Sequence, residues 1–149
     1  LLNDARITPD SRVLIVGAGT CYSAALISRL AAKVVALEED KGQLGTARGA
    51  LSELGVRGVA LVEGRLAEGW PAEGPYDVIL IDEAVAEVPA ALIAQLAPGG
   101  RLLTVVDDGD RVGRAMLLSS VDGVASQRPL FDATTAILPG FERKPAFQF

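Results

Sequence analysis

The chain has 149 residues, of which 50% are apolar and 22% charged, so it is neither disordered nor collagen-like and can form one domain with a sizeable core. A net charge of −5 argues against a surface that binds nucleic acid. The sequence has no histidine and a single cysteine, which excludes Ser-His-Asp hydrolases, His–Cys proteases, histidine-based zinc and haem sites, cysteine zinc clusters and an intrachain disulfide. No apolar run reaches the roughly 18 residues of a membrane span, so we expect a soluble protein without a membrane partner.

Short apolar runs alternate with helical patterns, which is typical of a parallel sheet covered by helices on both faces. The predicted strands are Arg12–Val16, Lys33–Leu37, Val59–Val62, Tyr76–Ile81 and Arg101–Val106. The predicted helices are Ser23–Ala32, Glu39–Leu54 and Pro89–Leu96. Pro98, Gly99 and Gly100 are expected to end the last helix. Because Tyr76–Ile81 is the most continuously apolar run, it is predicted to be a central strand.

The pattern changes after the fifth predicted strand. Arg114–Ser120 and Val124–Phe131 are two extended runs around Asp122 and Gly123, a dipeptide that favours hairpin turns. An irregular tail packed by aromatic residues is expected over Leu138–Phe149. The whole chain is therefore predicted to be a single α/β domain, an open sheet with helices on both faces that is closed by an antiparallel hairpin. Ligands of such sheets bind at the carboxyl ends of the strands.

The loop after the first strand is the first candidate for ligand binding. Gly17 and Gly19 let the backbone approach a ligand, and the helix that follows favours a negatively charged group. Tyr22 stands where the dinucleotide-binding fingerprint has its third glycine. A tight turn without a ligand is the alternative interpretation. Cys21 is either a reactive thiol at a helix N-terminus or a small, partly buried side chain.

Acidic residues end the next strands. Glu38 comes 21 residues after Gly17, near the ~20-residue spacing at which an acid accepts hydrogen bonds from ribose hydroxyls. The alternative is that Glu38 belongs, with Glu39 and Asp40, to the acidic first turn of a helix. Glu63 and Gly64 end the third strand and either approach an adenine or form an ordinary loop.

Asp82 and Glu83 end the fourth predicted strand. Neighbouring residues of a strand point to opposite faces, so these two are not expected to form a catalytic pair, and one of them is expected near the ligand. Trp70, Tyr76 and Met116 are interpreted as packing residues.

Several segments together resemble the protein-L-isoaspartate O-methyltransferases, a family of Rossmann-like S-adenosylmethionine-dependent methyltransferases. The resemblance runs in register from Arg12 to Val106. The segments that carry it are Val13–Tyr22, Glu38, Glu63-Gly64, Gly69–Pro71, Tyr76–Ile79, Val88-Pro89 and Gln95–Leu102.

The resemblance implies a Rossmann-like three-layer sandwich with a mostly parallel seven-stranded sheet whose last strand is antiparallel. It also implies S-adenosylmethionine as the cofactor. At matching positions, Gly17 and Gly19 would line its methionine end, Glu38 would hold the ribose, and Glu63 and Gly64 would lie by the adenine. The complete expected cofactor site is Gly17, Ala18, Gly19, Thr20, Cys21, Glu38, Glu39, Glu63, Gly64, Arg65 and Asp82. No metal is expected.

The chain departs from the family at Ile15, where an acid is usual, at Cys21, where glycine is usual, and at Glu63, where aspartate is usual. The family's substrate-side Ser/Thr-rich motif lies upstream of the first strand and is not in these 149 residues. The sequence also begins at Leu1 without methionine. We therefore expect an N-terminally truncated chain that does not methylate its substrate at a useful rate, and assign no catalytic residue.

The predicted function is methyl transfer to the carboxylate of isoaspartyl residues in damaged proteins, in the cytoplasm. Such a transfer needs no general base, because a carboxylate is already ionised at neutral pH. One alternative is a cofactor-binding module without transferase activity, which Ile15 and Cys21 favour. Another is a nicotinamide-dependent oxidoreductase, against which Tyr22 argues. The predicted partner is an isoaspartyl protein or peptide, and not a nucleic acid or a membrane.

Overall fold

A computed structural model describes residues 6–17, 22–106, 114–121 and 124–132. The seven strands of one sheet are β1 Arg12–Val16, β2 Lys33–Glu38, β3 Val59–Glu63, β4 Tyr76–Val85, β5 Leu96–Val106, β6 Arg114–Val121 and β7 Val124–Asp132. The helices are α1 Tyr22–Ser28, α2 Lys41–Glu53 and α3 Ala90–Ile93, with short 3-10 turns at Leu66–Glu68 and Pro71–Glu73.

The strands lie in the order β3-β2-β1-β4-β5-β6-β7, so β4 occupies the predicted central place. Strands β1 to β5 run parallel to one another, β6 is antiparallel to β5, and β7 is antiparallel to β6. The predicted α/β class, with a mostly parallel seven-stranded sheet and an antiparallel C-terminal hairpin strand, is confirmed. Asp122, Gly123 and the tail Leu138–Phe149 lie outside the described residues.

Alternate side chains of β1 point to opposite faces of the sheet, and an apolar cluster covers each face. Val13 and Ile15 belong to an apolar cluster with residues of α1 and α2, such as Ile27. Leu14 and Val16 belong to a second cluster with Leu66 of the first 3-10 turn and Leu92 of α3. These four side chains are at most 1% exposed. The prediction that helical elements cover both faces is therefore confirmed.

Helix α1 is shorter than predicted, ending at Ser28 rather than Ala32. The backbone carbonyl of Ile27 accepts hydrogen bonds from the amides of both Leu30 and Ala31, at 2.8 and 3.0 Å. The next amide, that of Ala32, donates to the Ser11 carbonyl at 3.0 Å. The chain thus leaves the helix early because its backbone is recruited to the start of the sheet.

The prediction of a helix over Pro89–Leu96 was wrong in its extent. Helix α3 spans only Ala90–Ile93, and Pro98, Gly99 and Gly100 lie within β5 instead of ending a helix. The physical reason is that Leu96 already pairs with Tyr76 of β4.

Glycine is required where β5 passes β4. The pairing register shifts between Tyr76 and Val78, and a Cβ at Gly100 would lie 2.8 Å from the carbonyl oxygens of both Tyr76 and Ala97. Real side chains do not approach backbone that closely. The sequence "PGG" is typical of a helix end, but in this chain it forms a bulge within a strand.

The crossover between β3 and β4 is held by three residues, Trp70, Tyr76 and Gln95, which we call the crossover clamp. The Gln95 side chain accepts a hydrogen bond from the Trp70 amide at 2.9 Å and donates to the Glu68 and Ala91 carbonyls at 2.8 and 3.0 Å. The buried Tyr76 hydroxyl donates to the Trp70 carbonyl. Trp70 and Tyr76 pack against the second apolar cluster, as predicted, and so does the partly buried Met116.

The clamp predicts a dependence of stability on alkaline pH. Burial, reinforced by the charge of Glu73 and opposed by that of Arg12, raises the pKa of Tyr76 from 10.0 to about 12. Because the folded-state value is the higher one, the protonated hydroxyl stabilises the fold fully below pH 10, and this contribution is lost as the pH rises toward 12.

Urea unfolding of the parent and of Tyr76→Phe over this pH range is the measurement. The unfolding free energy of the parent should fall more steeply than that of the variant, by up to about 1.4 kcal/mol per pH unit. Parallel pH profiles would show that Tyr76 does not titrate with folding.

Candidate functional site

The carboxyl ends of β1, β2 and β3 meet at one edge of the sheet. The Gly17 amide donates to the Leu37 carbonyl at 2.9 Å, and the Gly64 amide donates to the Glu38 carbonyl at 3.1 Å. Glu38 and Glu63 are register partners at the ends of their strands. The structure therefore brings together four of the residues that sequence analysis singles out, and it does so through backbone hydrogen bonds.

Gly17 turns the chain out of β1 with φ at +85°, in the left-handed region that favours glycine. The next four expected site residues, Ala18, Gly19, Thr20 and Cys21, lie outside the described residues. The suggestions made for Cys21 therefore stay predictions.

Glu38 is the buried acid of this edge, with only 4% of its surface exposed. Its carboxylate Oε2 accepts hydrogen bonds from the amides of Glu39 at 2.8 Å and Asp40 at 3.1 Å. A charged group out of water requires such partners, and these fix the carboxylate against the turn that follows β2.

The residue that caps the next helix is Asp40, not Glu38. The Asp40 carboxylate accepts a hydrogen bond from the Gln43 amide at 3.0 Å, and α2 begins at the following residue. Glu39 is exposed, and the first turn of α2 contains no acidic residue. The interpretation of the acidic run as the first turn of a helix is therefore wrong for Glu38, which precedes the cap.

Glu63 and Arg65 are more exposed than Glu38. The Glu63 carboxylate lies 4.0 Å from the Lys41 ammonium, and the Arg65 guanidinium lies 3.8 Å from the Glu68 carboxylate. Exposed ion pairs at these distances contribute little to stability. Both side chains can therefore change partners at small cost if a ligand approaches.

Gly64 lies in a closely packed turn. A Cβ at this position would lie 3.3 Å from Leu37 Cδ1 and 3.3 Å from Trp70 Cζ3, so any side chain would push its neighbours away. Sequence analysis missed this contact, because it interpreted Trp70 as packing and Gly64 as part of a ligand turn. Their separation of six residues gave no periodic signal that could have linked them.

Asp82 and Glu83 lie within β4, which continues to Val85, and not at the strand end as predicted. The backbone of Asp82 follows Ile81, the register partner of Val16, and so lies at the same edge as Gly17. The pairing with β5 is irregular between Leu80 and Ala84. The structure describes the backbone but not the side chains of Asp82 and Glu83, so the roles of these side chains stay predictions.

Ile15 occupies the position at which the resembled family usually has an acid. It is 1% exposed and lies in the apolar cluster with α1 and α2. In this chain the position is therefore part of the core.

The described ranges contain no group of three or more His, Cys, Asp or Glu residues arranged to hold a metal ion. Within the same ranges, every helix is too short or too polar to cross a lipid bilayer.

Comparison with known proteins points to one family. The family model of the protein-L-isoaspartate(D-aspartate) O-methyltransferases matches residues 1–129. A protein-L-isoaspartate O-methyltransferase of Methanoregula boonei is 42% identical over 115 residues, covering 77% of this chain and 52% of the relative. Protein-L-isoaspartate O-methyltransferase 1 of an Anaeromyxobacter species is 40% identical over 134 residues, covering 89% and 60%. The chain thus spans about half the length of the curated relatives it matches.

Two of the solved structures that match this chain carry the same family name. A protein-L-isoaspartate O-methyltransferase superposes with a TM-score of 0.88 at 28% identity, covering 95% of this chain and 46% of its own. A second structure, from Plasmodium falciparum and in complex with S-adenosyl-L-homocysteine, gives 0.75 at 20% identity, covering 88% and 66%. At that identity the second likeness shows the fold alone.

The helix cap at Asp40 yields a stability prediction. Asp40→Ala removes the acceptor for the Gln43 amide and should lower the unfolding free energy by about 1 kcal/mol, measured by urea denaturation. Glu39→Ala is the matched control, because its exposed side chain caps nothing, and the expected change is within about 0.5 kcal/mol. Equal stabilities for the two variants would contradict the assignment of the cap.

Proposed function

Because this chain belongs to the protein-L-isoaspartate O-methyltransferase family, we propose that it is the S-adenosylmethionine-binding part of an enzyme that methylates isoaspartyl carboxylates in damaged proteins. The observation that carries the proposal is the convergence of Gly17, Glu38 and Gly64 at the carboxyl ends of β1 to β3. Parallel α/β sheets bind their ligands at this edge.

The described residues fit an adenosine-containing ligand. Glu38 offers a buried carboxylate in a fixed position, which suits the hydroxyls of a ribose. The backbone of Gly64, beside Glu63 and Arg65, is proposed to lie along the edge of the planar base, on the side away from Leu37 and Trp70. The methionine end would lie along the loop from Gly17 to Cys21. Glu39 and Asp82 complete the proposed site.

S-adenosylmethionine, when bound, supplies a methyl group on a positively charged sulfur. The acceptor carboxylate is already ionised, so the protein needs no general base, in keeping with a chain that lacks histidine. The task of this chain's residues is to hold the cofactor in a fixed orientation, since alignment of the reacting groups supplies several kcal/mol of the barrier reduction.

The proposal includes an isoaspartyl protein or peptide as the partner and the cytoplasm as the location. The net charge of −5 supports a protein partner over a nucleic acid.

The ribose assignment predicts an affinity loss. Glu38→Ala should weaken S-adenosylmethionine binding by about 1.5–3 kcal/mol, the range for hydrogen bonds to a charged group, measured by calorimetry. Asp40→Ala is the control for local stability, because it disturbs the same helix start without removing the proposed ligand. The ribose role of Glu38 would be contradicted by an affinity equal to that of the parent.

The transferase assignment predicts that turnover depends on the N-terminal segment that carries the family's substrate-side motif. The 149-residue chain is compared with a form extended by the N-terminal segment of the Methanoregula boonei relative, using labelled S-adenosylmethionine and an isoaspartyl peptide. The extended form should be faster by about a hundredfold or more, because misplacing the acceptor by about 1 Å costs that much.

Equal turnover by the two forms would contradict the substrate-side account. Cofactor binding by the extended form without any turnover would instead support the binding module that lacks transferase activity.

A further inference from the structure

The indole ring of Trp70 lies directly behind the Gly64 turn. A Cβ at Gly64 would lie 3.3 Å from Trp70 Cζ3 and 3.5 Å from Trp70 Cε3, which leaves no room for another group between ring and backbone. The ring is half-buried and packs against the second apolar cluster. The Gly64 turn therefore lies against an aromatic ring that itself packs on the core.

The backbone of Trp70 is fixed on both sides by the crossover clamp. Its amide donates to the Gln95 side chain at 2.9 Å, and its carbonyl accepts from the buried Tyr76 hydroxyl. The preceding residue, Gly69, has φ at +65°, and a Cβ there would lie 2.5 Å from the Gln95 amide group. The ring consequently has a defined position relative to β4 and α3.

The Gly64 turn is fixed from its other side by β2. Its amide donates to the Glu38 carbonyl at 3.1 Å, and Leu37 Cδ1 would lie 3.3 Å from a Cβ at Gly64. The Glu38 backbone and the Gly64 turn are thus held in fixed positions relative to each other, and Leu37 and Trp70 pack behind the turn.

Resting on the proposed function, we propose that Trp70 is a positioning residue for the adenine side of the cofactor site. It acts through Gly64, by holding the turn at a fixed distance from Glu38, so that base and ribose are bound without further ordering of the chain. A site that is ordered before binding gains affinity because the ligand need not supply that ordering.

The chain offers a direct readout, because Trp70 is its single tryptophan. Fluorescence excited selectively for tryptophan is titrated with S-adenosylmethionine, adenosine and methionine, and the same titrations are followed by calorimetry. A ligand bound on Gly64 changes the surroundings of the indole, so S-adenosylmethionine and adenosine should change the emission with midpoints equal to the calorimetric Kd. Methionine should leave it unchanged.

Two substitutions separate positioning from general stability. Trp70→Phe keeps an aromatic ring behind Gly64 and should leave the Kd within about twofold, whereas Trp70→Leu should weaken adenosine and S-adenosylmethionine about tenfold. Leu51→Ala is the matched control, since Leu51 is buried in the other apolar cluster. It should lower stability and leave the Kd unchanged.

The outcomes distinguish the two proposals. Calorimetric binding without a change in emission would overturn the role of Trp70 and leave the proposed function standing, as would equal losses of affinity in Trp70→Leu and Leu51→Ala. If Trp70→Leu does not fold, the fluorescence titration of the parent still tests the role of Trp70. The absence of calorimetric binding by any of the three ligands would overturn the proposed function, and the inference with it.

Discussion

The in-register parallel pairing of β1, β2 and β3 is the constraint on which the rest of the site depends. It places the last residue of each strand at one edge, where backbone hydrogen bonds join Gly17 to Leu37 and Gly64 to Glu38. A slip of one residue would turn the side chains of a strand, Glu38 included, to the opposite face. The geometry of the site is therefore a consequence of the core.

Glu38 shows how a fold tolerates a buried charge where a ligand is expected. One carboxylate oxygen accepts hydrogen bonds from two backbone amides of the turn that follows, and these hydrogen bonds help to stabilise the charged group. Asp40 performs the separate task of starting α2. Glu38, which we propose as a ligand residue, and Asp40, which caps α2, thus have separate roles although they are only two residues apart.

Local patterns predicted the sheet well. The run Arg12–Val16 is apolar and bounded by turn residues, and its predicted limits agree with β1. The interpretation failed where distant contacts decide, as at Gly100, whose close approach to Tyr76 keeps "PGG" within a strand. The role of Gln95 in joining α3 to the crossover carried no local signal, because two of its side-chain hydrogen bonds are to backbone 25 and 27 residues away in sequence. The packing of Trp70 behind Gly64 follows no helix or strand period, and it too could be found only in three dimensions.

The most direct test of the central claim is a map of backbone amide chemical shifts as S-adenosylmethionine is added. The account predicts shifts at Gly17, Glu38 and Gly64, where the carboxyl ends of the strands meet. It predicts none at the shallow hollow near the amino ends of β2 and β3, lined by Ala32, Lys33, Gly58, Val59 and Ala60. Shifts confined to that hollow, with the carboxyl edge unchanged, would contradict the account.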